Sequence, residues 1–150
     1  MTLIELLVVM GVVGLLLGIS IPSLMGFANT VRLKTVLREV MSLVSLARSQ
    51  AISVHENYAV IVDPEAREIR VVNEASHEPL EHVVRLPSSV TVELQSKGQA
   101  SPETQFVFRP TGSLLGHTVS LILSDREKRY TVTVSGSTGA VSVSRRPDDA

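Results

Sequence analysis

From Leu6 to Val31 no side chain carries a charge, and the apolar spacing does not stop where the charges begin. As a helix, those 26 residues cover ~39 Å, more than the ~30 Å hydrocarbon core of a bilayer. Beyond Arg32, the residues Leu33, Leu37, Val40, Val44, Ala47, Ala51 and Val54 recur at alternating spacings of four and three, one continuous apolar stripe. Arg32, Lys34, Arg38, Glu39, Ser42, Ser45, Ser49 and Gln50 fall off it. The pattern predicts one helix of roughly 50 residues, ~75 Å long, apolar all round in its first half and amphipathic in its second. A cleaved signal peptide fits poorly, because no basic n-region precedes the apolar run and no small-x-small site follows it.

Two residues break the uniformity of the first half. Pro22, with Gly11, Gly14 and Gly18 before it, removes a backbone donor and predicts a kink or unwound turn near 18–22. Glu5 stands alone as a carboxylate near the tip. In lipid it costs on the order of 3 kcal/mol unless it is paired. No basic side chain lies within the first thirty residues, so the cation available to it is a free α-amino group, its own chain's or a neighbour's.

The segment Thr2-Leu3-Ile4-Glu5-Leu6-Leu7-Val8-Val9 resembles the start of a processed type IV pilin or type II secretion pseudopilin, and Pro22 falls in register with that family's proline. The resemblance implies that a prepilin peptidase cuts before Met1 and methylates it, although the family usually carries Phe there. It also implies that Glu5 sets the register between subunits as a filament assembles. Glu5 and Pro22 agree in register, so the numbering reads as that of the processed chain; the basic leader and its glycine are not in this sequence, either removed by processing or left out by an internal start.

After His55-Glu56-Asn57 the apolar period becomes two. Strands are predicted at 58–62, 69–72, 82–86, 90–94, 105–109, 118–124, 129–135 and 140–144, with Asp63-Pro64-Glu65-Ala66-Arg67 as a hairpin turn. The polar stretch 95–104 reads as a loop. The fold class expected is α+β, with a long transmembrane-plus-amphipathic helix packed on an antiparallel β-sandwich. Residues 1–28 form the transmembrane half-helix and 29–150 the globular domain, of which 29–54 is amphipathic helix and 58–146 antiparallel β. Ala47-Arg48-Ser49-Gln50-Ala51-Ile52, Phe106-Val107-Phe108-Arg109-Pro110-Thr111-Gly112-Ser113-Leu114-Leu115-Gly116 and Thr138-Gly139-Ala140-Val141 are together similar to the GspH/FimT group of minor pseudopilins and pilins. Two departures stand out: His117 follows Gly116 where a second glycine is usual, and Ala140 replaces a common basic residue.

Composition removes several other functions. With no cysteine there is neither a disulfide framework nor a thiolate metal site. His55, His77, His82 and His117 form no H-x-H or H-x₃-H pair, Ser113 has no G-x-S-x-G context, and no acid, base and nucleophile converge. No enzyme, cofactor or metal is expected. A net charge of −1 and 3% aromatic residues weaken the case for nucleic acid, and Asp148 and Asp149 follow Arg145 and Arg146 directly.

The expected function is a minor pseudopilin of a type II secretion system. Such a protein crosses the bacterial inner membrane once, holds its C-terminal domain in the periplasm and assembles into a pseudopilus that drives protein export. Its implied partners are other pseudopilins or pilins, the inner-membrane assembly platform, the prepilin peptidase and an exported protein. The competing expectation is a minor pilin of a type IV pilus, with or without DNA binding for uptake; the candidate DNA contacts are Arg129, Arg145 and Arg146, with Arg109, Arg126 and Lys128 as further candidates.

Overall fold

A computed structural model describes residues 2–96, 99–100, 104–125 and 128–146, with the side chains of 17–30, 99–100 and 146 outside the description. The chain divides into two compact units, Met1–Arg32 and Leu33–Ala150. A helix, α1, runs over Leu3–Val54, 52 residues, and remains helical through Gly18 and Pro22. In the first unit every described side chain from Leu3 to Leu16 is exposed, Leu3 at 84%.

In the second unit the amphipathic stretch of α1 buries the predicted stripe. Leu33, Leu37, Val40, Val44, Ala47 and Ala51 are buried, and Val36 and Leu43 widen the buried face. Val54 departs from the stripe and is 47% exposed, because the helix ends there. The next residue, His55, takes φ 61°, the left-handed conformation that lets a chain turn away from a helix end. Asn57 Nδ2 donates to Glu74 at 2.9 Å, and Asn73 Nδ2 donates to Glu56, so the exit from the helix is tied to the end of the second strand.

Among the described residues nine strands follow: β1 Tyr58–Asp63, β2 Glu68–Asn73, β3 Pro79–Arg85, β4 Thr91–Ser96, β5 Gln99–Ala100, β6 Gln105–Phe108, β7 Val119–Ser124, β8 Arg129–Val134 and β9 Val141–Arg146. They form two antiparallel sheets, of order β3-β2-β1-β6 and β5-β4-β7-β8-β9. Alternation explains the burial: in β2 Ile69, Val71 and Asn73 turn inward, and in β8 Tyr130, Val132 and Val134 do. Both inner faces and the helix stripe join one apolar cluster that includes Leu43, Val60, Ile69, Phe108, Leu121 and Val132. The fold is therefore α+β, a helix on two antiparallel sheets.

The stretch 95–104, expected as a loop, instead completes β4 and supplies β5, through Gln95↔Ala100 and Ser96↔Gln99. Hydropathy misses such a hairpin tip, since backbone pairing at a polar sheet margin needs no apolar side chain. Residues 97–98 and 101–103 of that stretch lie outside the described residues.

Candidate functional site

At the N-terminal tip, Thr2-x-x-Glu5 is a capping-box spacing. Glu5 N–H donates to the Thr2 carbonyl at 3.1 Å and Leu6 N–H to the same oxygen at 3.3 Å. The Glu5 carboxylate reaches back and accepts from the Thr2 N–H at 3.3 Å. A carboxylate in the first turn also lies at the positive end of the helix dipole. Among the described residues the Glu5 carboxylate is bonded by a neutral amide of its own chain, in an exposed bond. The signal for this cap was present in the sequence as Thr2 followed three residues later by Glu. Met1 lies outside the described residues, as does the side chain of Pro22.

No helix among the described residues is long and apolar enough to cross a membrane.

The residues that carried the second resemblance meet in one place. Arg48, on α1, donates from Nε to the Gly112 carbonyl at 3.1 Å and from Nη2 to the Thr138 carbonyl at 3.0 Å. Gly112 and Gly139 have φ 79° and 64°. A Cβ at Gly112 would stand 2.8 Å from Ile52 Cδ1, and one at Gly139 would drive into the Gly112 carbonyl oxygen. One helix residue thus fastens both the segment that crosses from β6 to β7 and the turn between β8 and β9. A second arginine does the same for the crossing from β3 to β4. Arg67, in the β1–β2 turn at φ 54°, donates to the carbonyls of Leu86 (3.4 Å), Pro87 and Val90 (2.9 Å), in the link from β3 to β4. Sequence reasoning missed both roles, because a bond to a backbone carbonyl leaves no residue-type pattern at the acceptor.

The basic residues proposed for DNA are partly gathered. Arg129 and Arg146 are cross-strand partners at the same end of β8 and β9, while Arg145 lies opposite Tyr130 on the other face of the sheet. Arg129 and Arg145 are exposed. Arg109 lies elsewhere, lining an open depression with Ser113, His117 and Ser137. Arg126 lies outside the described residues. Among the described residues no group of three or more His, Asp or Glu is placed to hold a metal ion.

A family model described as Type II transport protein GspH matches residues 37–138. The structure is similar to the minor pseudopilin EpsH of the Type 2 Secretion System of Vibrio cholerae, with 12% identity and a TM-score of 0.63 over 79% of this chain and 99% of that one. It is also similar to the type IV minor pilin FimU of Pseudomonas aeruginosa, at 16% identity and a TM-score of 0.59 over 83% and 95%. The solution structure of E. coli GspH gives 17% identity and a TM-score of 0.56 over 81% and 93%. No curated protein sequence matches this one. At these identities the three structures establish a common fold.

Proposed function

The chain belongs to the type II transport protein GspH family, whose model spans more than half its length, and from that premise we propose that it is a minor pseudopilin of a type II secretion system. That family match is the observation that carries the reading. The structural relatives are pilin-like structural proteins, and the activity proposed is assembly rather than catalysis.

In this account residues 1–28 anchor the chain in the inner membrane, and the remainder stands in the periplasm. On recruitment into a filament the exposed apolar side chains from Leu3 to Leu16 exchange lipid for neighbouring helices. The bond from Thr2 to Glu5 is a neutral-donor bond, and a neighbour's terminal ammonium offers a charge-assisted one about twice as strong. Glu5 gives up its own cap for that partner and so fixes the axial register. Met1 is the methylated terminus, and the helix bends about Pro22 as subunits seat. Partners are other pilin-like subunits, then the assembly platform, the prepilin peptidase and an exported protein.

Deleting the gene tests the system. Loss of protein export, with exported enzymes retained in the periplasm, is the expected result. Normal export with loss of surface pili would overturn it in favour of a type IV minor pilin. The likeness to FimU keeps that second reading in view, with the exposed Arg129 and Arg145 as its candidate DNA contacts.

A further inference from the structure

We propose that the outer edge of β9 is a strand-docking site, which receives an extended segment of a neighbouring pilin-like subunit whose apolar residues are followed by acidic ones. The proposal rests on the filament reading for the identity of the donor, and on the geometry of β9 for everything else.

Two sheets present four edges, and three of them are blunted. β3 begins at Pro79, carries a register shift between Arg70 and Val72 of its partner, and exposes Glu81, His82 and Arg85. β5 is two residues long. β6 has its outer side taken by its own chain, through Leu115 N–H to the Val107 carbonyl and the Phe108↔Leu114 bridge. β9 runs for six residues without proline or bulge, and no described strand lies beyond it.

The direction of its backbone groups follows from one bond. Ser135 N–H donates to the Ala140 carbonyl at 2.9 Å, which sets the phase of the β8–β9 ladder. Alternation then makes Ser142, Ser144 and Arg146 exchange bonds with β8 and turns the N–H and C=O groups of Val141, Val143 and Arg145 outward. A row of outward donors and acceptors selects an extended polypeptide.

Side chains supply the rest of the selection. Val141 and Val143 share the inner face with Tyr130, Val132 and Val134, yet Val143 is 39% exposed, so the apolar face runs on past the cover that α1 provides. Beside Val141 an open groove is lined by Ser45, Arg48, Ser49 and Ile52, and Ile52 is 42% exposed. A strand laid against β9 drops an alternate apolar side chain into that groove. At the far end the exposed Arg129 and Arg145 carry positive charge, one on each face of the sheet, while 141–144 carry none. The complement is a strand that is apolar at one end and acidic at the other. The same arginines in a DNA site would leave the valines, the groove and the outward backbone groups without a purpose.

The test uses the full chain in detergent micelles and amide hydrogen exchange at Val141, Val143 and Arg145. The probe is a short acetylated peptide of alternating Thr and Val that ends in glutamates. At a peptide concentration about ten times its Kd, exchange at these amides slows roughly tenfold, and a lysine-ended peptide has no such effect. Val143→Pro removes an outward donor without touching the β8 ladder and abolishes the protection at Val141 and Arg145, while the Leu121 and Val132 amides stay protected. Arg129→Glu with Arg145→Glu transfers the preference to the lysine-ended peptide. No protection, equal protection by both peptides, or protection by a short DNA duplex alone would overturn the proposal. Export by the Val143→Pro strain separates the two readings: a failure of the peptide to bind, with export intact in wild type, sinks the docking edge and leaves the filament role standing.

Discussion

Arg48 and Arg67 hold what the helix and strands cannot hold by themselves, two of the three places where the chain leaves one sheet for the other. Each guanidinium answers backbone carbonyls that lie far away in sequence, up to 90 residues for Arg48. Arg48→Ala leaves the Gly112 and Thr138 carbonyls without their charged donor and is expected to cost about 2 kcal/mol in denaturant unfolding. Arg48→Lys should recover little of that, since an ammonium cannot serve two carbonyls from a planar fork. Gly139→Ala is expected to be worse, about 3 kcal/mol, because the added methyl meets the Gly112 carbonyl in a left-handed turn. The opposite sign is expected at His55, where Gly at φ 61° relieves a left-handed conformation. His55→Gly should stabilise the protein by about 1 kcal/mol in the same measurement. The fastening roles of Arg48 and Arg67 were illegible in advance for a physical reason. The sequence marks a donor such as Arg48, but a carbonyl acceptor exists at every position.

Elements with strong periodicity were legible, and those held by backbone alone were not. The stripe of α1 and the alternation in β7 and β8 each follow from a side-chain rule with a fixed period, so they could be read without the fold. β5 has two residues and polar neighbours, and nothing in its side chains distinguishes pairing from solvation. The cap at Thr2 and Glu5 is different: its spacing is visible in the sequence, but a Thr-x-x-Glu spacing alone does not mark where the helix starts. At this scale the load falls on Leu43, fully buried where α1 meets the inner faces of the sheets. Leu43→Ala removes a core side chain and is expected to lower stability by 2–5 kcal/mol, about the range for a buried leucine, as read by urea denaturation. Ser42→Ala, on the exposed side of the same turn, should change it by less than about 0.5 kcal/mol.

At the scale of the whole molecule, a capped but exposed tip and a tightly fastened sheet domain divide the labour. Substitutions in the first unit should change assembly and leave the domain's unfolding midpoint alone; those at Arg48, Gly139 or Leu43 should lower that midpoint. The family was legible in short motifs, of which those around Arg48 and Gly112 lie within the matching family model, and the α+β class in the change from a helical period to a period of two. The order of strands in the two sheets, and with it the open edge at β9, was not, since pairing partners come from the crossings and not from any single strand. The most direct measurement of the central claim is filament co-sedimentation: cells producing the chain with its assembly machinery are sheared, and the filament fraction is probed for wild type and Glu5→Ala. The account predicts wild type in that fraction and Glu5→Ala absent from it, with both present at equal level in the membrane. Wild type that remains wholly in the membrane fraction, or Glu5→Ala that sediments with filaments like wild type, would contradict it.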